Sequence, residues 1–273
     1  MNTSMINASV TMGQLQQKLD TTANNMANSN TNGFKRRNVQ FSDLLFQQIN
    51  NKFDSKKEVG RLTPVGIRAG SGARVSSTAV SLEMGAIKTT ERPLDIALLS
   101  PELFFQVQKK DTDGKTVMEY TRDGAFYLKP GGGKGDLELV TSDGSAVMGD
   151  KGPIRIPSEY KEISIGQNGN ISVTLSNGRI VNSGRMALVD VVHPQLLKAV
   201  GHNFRIPAGV NENQVVRAAN PASVNMQQGA LEMSNVNTGN EMTDIINMQR
   251  SYQFNARTIT MADQMMGLVN GIR

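Results

Sequence analysis

The sequence predicts an α+β protein: N- and C-terminal helices paired as a coiled-coil-like domain, with a mainly-β domain (sandwich- or barrel-like) and an extended arm inserted between them. Three observations predict it. Apolar or small residues recur at Met5, Ala8, Met12, Leu15, Leu19, Thr22 and Met26, and again at Ile245, Met248, Tyr252, Asn255, Ile259, Ala262, Met266 and Val269. Alternating steps of three and four place each series along one side of a helix and suit helix-on-helix packing. Between the two series, short β-rich runs are punctuated by Asp-Gly and Asn-Gly pairs, the turn residues of hairpins. Finally, the helix backs are polar yet uncharged: residues 1–34 carry only Lys18 and Asp20 as charged side chains, among Asn, Gln, Thr and Ser. A helix facing water normally turns Lys and Glu outward. An uncharged polar back fits a helix enclosed by other subunits, although an ordinary coiled-coil pair at a domain base reads the same way.

The first element, residues 1–34, holds a helix from about Ser4 to Met26, ended by Asn28-Ser29-Asn30-Thr31-Asn32-Gly33, since Asn and Gly accept left-handed backbone angles. Residues 35–74 read as an extended arm or linker. It carries the apolar cluster Phe41, Leu44, Leu45, Phe46, Ile49, a short amphipathic piece, and then a charged polar stretch. An arm of this length is too long for a plain connection and points to a function or a partner.

Residues 75–221 read as an all-β domain. Turns are expected at Asp113-Gly114, Asp123-Gly124, Asp143-Gly144, Asn168-Gly169 and Asn177-Gly178. Ile171, Val173 and Leu175 alternate with polar residues. The run Met186 to Val192 is continuous enough for a strand covered on both faces. Residues 222–238 are then a return linker. In residues 239–273 a last helix starts near Gly239, where Thr238-x-x-Glu241 has capping-box spacing, and ends near Asn270-Gly271.

Composition narrows the function. At 273 residues and 38% hydrophobic content the chain can hold one large or two modest cores. No run of about 18 apolar residues is present to span a bilayer. The first ten residues lack the basic-then-apolar order of a cleaved signal peptide, so export by the usual route is not expected. Without Cys there is no disulfide, thiolate catalysis or zinc–thiolate site. Between Lys35 and Arg74 nine basic residues face three acidic ones, a net +6, and the remainder of the chain is close to neutral. These charges are spread thinly with few aromatic partners and no DNA-binding motif, so nucleic acid is not the expected partner.

No constellation supports catalysis, and no cofactor or metal is expected. His193 and His202 lie nine apart near Asp190, but His193 precedes Pro194 in a turn. Asp111-Thr112-Asp113-Gly114 opens like a calcium loop, yet Arg122 stands at the twelfth position instead of Glu. Gly131 to Gly135 lacks the Ser or Thr that follows Lys in a phosphate cradle, and a hairpin loop explains it. The Met residues along both helices fit core and interface filling.

Several runs of residues carry a family resemblance. Leu19-Asp20-Thr21-Thr22-Ala23-Asn24-Asn25-Met26-Ala27-Asn28-Ser29-Asn30-Thr31-Asn32-Gly33-Phe34-Lys35 resembles the N-terminal signature of the bacterial flagellar rod and hook proteins. Within it Asn24, Asn25, Ala27, Asn28, Asn30, Thr31, Gly33 and Phe34 match the motif. Gln228 to Asn237 and Met248 to Arg257 are similar to that family's C-terminal signature. Pro93 to Leu98, Phe104 to Val107 and Tyr120 to Phe126 resemble its β-domain motifs. Ser100-Pro101-Glu102-Leu103 departs from the Gly-rich turn common there.

The resemblance implies a structural, non-enzymatic subunit of the flagellar basal body that self-assembles helically into a hollow tube. That tube would transmit torque and pass exported subunits. The terminal helices would form the inner tube, with Met5, Met12, Leu15, Leu19, Met26, Ile245, Met248, Tyr252, Ile259 and Met266 along the seam, and the β-domain would face outward. Partners would be copies of itself, neighbouring rod and hook proteins and the flagellar export apparatus. Neither nucleic acid nor transmembrane insertion is implied. Export without a cleaved signal peptide would place it outside the cytoplasm. Phe41-Ser42-Asp43-Leu44-Leu45-Phe46-Gln47-Gln48 and the long arm resemble the distal-rod member, with Phe41, Leu44 and Phe46 anchoring the arm on neighbours. A proximal-rod or hook-type member is the close alternative, and a secreted binding module with a helical stalk is the reading from a different class.

Overall fold

The Phe104-Phe105 pair explains the architecture, because adjacent residues of a strand point to opposite faces of its sheet. Phe105 meets Phe126 edge to face, ring centroids 5.0 Å apart, and Phe104 meets Phe204 in the same way at 5.6 Å. The strand Leu103–Lys110 therefore has an apolar core on each side. It pairs antiparallel with Thr116–Thr121, Ala146–Gly149 and Leu188–Val191. On one face, Leu103, Phe105 and Val107 pack with Ile96, Leu98 and Leu139, and with the inward residues of a three-stranded sheet. That sheet comprises Tyr160–Ile165, Asn170–Leu175 and Ile180–Arg185, and it contributes Ile163, Ile165, Ile171 and Val173. The two sheets form a sandwich. On the other face, Phe104, Tyr120, Val189, Val191 and Phe204 make a second cluster.

The computed structural model describes residues 3–43, 46–49, 67–70, 73–110, 114–131, 135–221 and 223–271. It divides into two compact units. One comprises Met1–Asn24, Asn38–Ala79 and Gly239–Arg273; the other comprises Asn25–Arg37 and Val80–Thr238 and holds the sandwich. The molecule is thus α+β, with an N-terminal helix, a large β-sheet domain and a C-terminal helix.

Helix α1 (Thr3–Ala27), which belongs to the first unit as far as Asn24, has Ala8 and Thr22 buried and Met5, Met12, Leu15, Leu19 and Met26 half-buried. Ile6, Gln16, Gln17 and Asp20 are exposed. The hydroxyls of Thr11, Thr21 and Thr22 donate to the carbonyls of Asn7, Gln17 and Lys18, so these polar groups are satisfied within the helix. The described parts of the arm are extended chain in paired strands. Arg37–Asp43 pairs with Ala73–Val80, and Phe46–Ile49 pairs antiparallel with Ile67–Gly70. β-Branched and aromatic residues at Val39, Phe41, Phe46, Ile49, Ile67 and Val75 favour strands. Residues 50–66 and Leu44 lie outside the described residues.

Most turn readings match the hairpins. Asp143-Gly144, Asn168-Gly169 and Asn177-Gly178 join paired strands, and each of these glycines has positive φ. Gly114 lies between the paired strands Leu103–Lys110 and Thr116–Thr121, although Asp113 is outside the described residues. Asp123-Gly124 is the exception. The strand after it, Phe126–Pro130, pairs with Asp136–Thr141 and not with the strand before it. Here Gly serves close approach: Ile96 N–H donates to the Gly124 carbonyl at 3.0 Å, and a Cβ on Gly124 would overlap the Ile96 carbonyl oxygen.

The return linker also needs correction, because two strands lie in it. Met226–Gln228 pairs with Ile96–Leu98, and Ala230–Glu232 pairs with Ile87–Thr89. Met226, Ala230 and Leu231 are buried, and their burial draws the segment into the fold. After a short helix α2 (Glu212–Val215) and these strands, the chain ends in α3 (Thr238–Gly271).

Replacing Gly124 by Ala should cost at least about 3 kcal/mol, because the new methyl group meets backbone that has no room to yield. Replacing Gly144 by Ala should cost about 1–2 kcal/mol, since only its left-handed angle is disfavoured and its surroundings are open. Urea unfolding of both variants measures the difference, and equal losses would contradict the close-approach role.

Candidate functional site

Three chain segments, distant in sequence, run side by side within the second unit, and hydrogen bonds fix each of them. At the end of α1, the buried Asn25 amide donates to the Arg37 carbonyl and its oxygen accepts from the Arg37 N–H, both at 3.0 Å. This reciprocal pair makes the side chain act as a strand partner for the chain's return. Gly33, at φ +66°, donates its N–H to the Glu232 carbonyl at 2.8 Å. Its missing Cβ would overlap the backbone at Arg122 and Asp123, so no other residue fits. Asn235 joins the remaining strands: its oxygen accepts from Arg36 N–H at 2.7 Å, and its nitrogen donates to the carbonyls of Ser81 and Glu83.

At the centre lies a buried ionic triad. Glu232 Oε1 accepts from Lys35 Nζ at 2.8 Å and from Gly85 N–H at 2.9 Å, and Oε2 accepts from Arg122 Nε at 2.5 Å. All three side chains are at most 2% exposed. The other donors are also used. Lys35 Nζ reaches the Glu83 carbonyl at 2.7 Å, and Arg122 donates to the carbonyls of Ser100, Leu103 and Leu98. The unusual Ser100 to Leu103 turn thus supplies acceptors for the guanidinium. Burial would push the Glu232 carboxyl up, but the Arg122 and Lys35 charges outweigh it and hold the group below the ordinary carboxylate range. Burial, aided by Arg122, lowers the Lys35 amine despite the Glu232 attraction. Burial also lowers Arg122 from its ordinary value.

This triad is not reactive chemistry: every polar partner is a structural group, and the Glu is fixed between two cations. Among the described residues no group of His, Cys, Asp and Glu is arranged to hold a metal. No helix among them is long and apolar enough to cross a membrane.

The residues expected along the helix seams have varied surroundings. On α3, Met248 and Ala262 are buried, and Ile245, Asn255 and Ile259 are half-buried. Tyr252 and Met266 are each 36% exposed. Of the N-terminal motif, Asn25 and Gly33 are buried, Asn28, Thr31 and Phe34 are half-buried, and Asn24, Ala27 and Asn30 are exposed. Phe41 is exposed, with Lys18 Nζ 5.5 Å from its ring centre, and Phe46 lies in a strand. Leu44 is outside the described residues. The α3 surface is unusual in a second respect. Met242, Ile246, Phe254, Met261, Met265 and Leu268 are all exposed, Phe254 at 70% and Leu268 at 69%. Their spacing forms a second stripe, interrupted by Arg250 and Arg257.

Comparison with known proteins bears directly on the triad. The family model for the flagella basal body rod protein matches residues 5–35, the D1 domain model of flagellar hook protein FlgE/F/G matches 102–173, and the C-terminal model of flagellar basal body rod FlgEFG protein matches 227–272. Over 274 residues the chain is 43% identical to the flagellar hook-basal body complex protein FlhP of Bacillus subtilis, covering 99% of each. It is 31% identical over 262 residues to the flagellar basal-body rod protein FlgG of Borreliella burgdorferi, covering 94% of each, and 32% identical over 259 residues to FlgG of Bacillus subtilis, covering 93% of each. The chain belongs to the flagellar basal-body rod and hook protein family. Its function is accordingly structural, as a rod subunit close to FlgG. Lys35, Arg122 and Glu232 fall one in each of the three matched segments, so the triad joins all three parts of the family pattern.

All three residues lie within the family-like motifs, and nothing in the local pattern pairs them. The available signal was weak: three of the motif runs hold one triad residue each, but Asp20 and Asp123 are also charged in two of those runs.

Because Glu232 is depressed when folded, its contribution to stability is complete above the ordinary carboxylate range and is lost as pH falls through the folded value. Glu232→Gln should lower stability at pH 7 by about 3–5 kcal/mol, since two buried cations lose their counter-charge. Denaturant titrations at several pH values should show the gap between variant and native protein narrowing below about pH 4.3, the ordinary Glu range. A gap independent of pH would contradict the role assigned to the carboxylate.

Proposed function

We propose that this rod-family subunit assembles head to tail into the hollow tube of the flagellar distal rod, with its terminal helices paired along their seams and packed against those of neighbouring copies. One observation carries the reading: α3 leaves an apolar stripe of Met242, Ile246, Phe254, Met261, Met265 and Leu268 in solvent, opposite a side where Met248 and Ala262 are covered. Exposure of this extent on one helix marks an interaction surface. A partner that supplies the same surface in every repeat generates an open helical array. The three-and-four spacing of apolar residues along both terminal helices supports their pairing. The uncharged back of α1 supports enclosure, because Asn, Gln and Thr can be desolvated against hydrogen-bonding neighbours at lower cost than Lys or Glu.

In this account the protein crosses the cell envelope through the flagellar export apparatus without a cleaved signal peptide. It then meets neighbouring rod and hook proteins outside the cytoplasm. Phe41, Leu44 and Phe46 contact adjacent subunits, with Phe41 already exposed. A second assignment within the family, to a hook-basal body complex protein like FlhP, is favoured by the higher identity to that protein than to FlgG of the same species. Labelling of purified basal bodies at this subunit separates the two by position.

Phe254→Asp in the full chain should leave the circular dichroism of the β-sheet unit unchanged and raise the concentration needed for self-association at least about tenfold, as a buried charge demands. Sedimentation of both proteins over a concentration series checks this. Leu19→Asp should likewise block incorporation into basal bodies while leaving the β-sheet unit folded. Normal assembly by either variant would overturn the proposal.

A further inference from the structure

With no Cys and fifteen Met, all sulfur chemistry in this chain belongs to thioethers. Their environments divide them into two classes. Met186 and Met226 lie in the sandwich at 2% exposure, and Met248 is covered on α3 at 4%. By contrast Met242, Met261, Met265 and Met266 are 52, 52, 56 and 36% exposed. Among the described residues one further Met is exposed, Met84 in the other unit at 36%. Four of the five exposed sulfurs therefore share one helix. Three of them lie within its last three turns, beside Leu268 and Val269, which are each 69% exposed.

We propose that Met242, Met261, Met265 and Met266 are an oxidation site of the unassembled subunit, which takes a peroxide as oxygen donor and which, once oxidised, no longer packs against a second copy. The second half of this inference rests on the self-association described above. In the reaction a sulfur lone pair attacks one oxygen of hydrogen peroxide, the O–O bond breaks, and the departing hydroxide takes the proton from the oxygen now bound to sulfur. The thioether loses two electrons and becomes a sulfoxide, and peroxide is reduced to water.

The reaction requires access to sulfur, which the α3 group has and the sandwich Met residues gain only by local opening. The product bears a strong acceptor oxygen in place of an apolar sulfur. Buried between helices without a donor, that oxygen opposes association; Met242, Met261 and Met265 lie on the exposed stripe, and Met266 lies on the seam. Assembly itself protects the site, since packing removes the sulfurs from solvent. Methionine sulfoxide reductase reverses the change, so the surface functions as an oxidant-sensitive switch on free subunits.

The test uses the full chain, exposed to hydrogen peroxide at neutral pH and followed by peptide mass spectrometry and sedimentation. Met242, Met261, Met265 and Met266, together with Met84, should gain oxygen at least about tenfold faster than Met186, Met226 and Met248. Oxidised protein should lose self-association and regain it after sulfoxide reductase. The variant M242L/M261L/M265L/M266L should associate before and after peroxide, whereas M84L should behave as the native chain. Equal rates at exposed and buried sulfurs would overturn the oxidation site. Loss of association in the quadruple variant on peroxide treatment would overturn the link to packing. If the untreated native chain does not associate, the assembly reading fails, while the site-resolved rates still decide the oxidation half.

Discussion

A single carboxylate, that of Glu232, holds together the three parts of this chain that sequence separates most widely. Burial makes the arrangement all-or-none. A lone cation at Lys35 or Arg122 would be costly to desolvate, and a lone Glu232 equally so, but together with the carbonyls of Glu83, Leu98 and Ser100 they are satisfied. The triad therefore depends on residue 35, residue 122 and residue 232 arriving at one place. Around it, Asn25, Gly33, Gly85 and Asn235 supply backbone contacts that admit few substitutes. In sequence, the points where the chain passes between its two units, after Asn24, Arg37, Ala79 and Thr238, all lie within a few residues of these groups.

The β-sheet unit and the C-terminal helix solve burial in opposite ways. In the sheet, alternation at Leu103, Phe104, Phe105 and Val107 fills two cores, and those positions are fully enclosed within the chain. In α3 the covered positions at Met248 and Ala262 are followed by a last stretch in which Met265, Leu268 and Val269 stay in solvent. One element is complete within the molecule and the other is not. The assembly proposed for this subunit uses both: a β-sheet unit with its own cores and an α3 surface left for another copy.

Much of this was legible in the sequence. Alternation in Ile171 and Val173, the continuous run at Leu188 to Val191 and three Asp-Gly or Asn-Gly hairpins depend on neighbours a few residues away, so local pattern suffices. The Asp123-Gly124 pair misled, because its glycine answers a contact with Ile96, which local pattern does not encode. The return segment misled for a related reason: Met226 and Leu231 look like isolated apolar residues until Ile96–Leu98 and Ile87–Thr89 supply their partners. The triad was hidden for the same cause at longer range, as its members lie 87 or more positions apart. The motifs marked the right residues without giving their geometry.

A double-mutant cycle on Lys35→Met and Glu232→Gln in the full chain, followed by urea unfolding of the β-sheet unit, tests the triad most directly. The account predicts that each single change costs about 3 kcal/mol or more and that the pair costs clearly less than the sum, with a coupling of at least about 1 kcal/mol. Single losses within about 0.5 kcal/mol that simply add would describe a surface ion pair and contradict it.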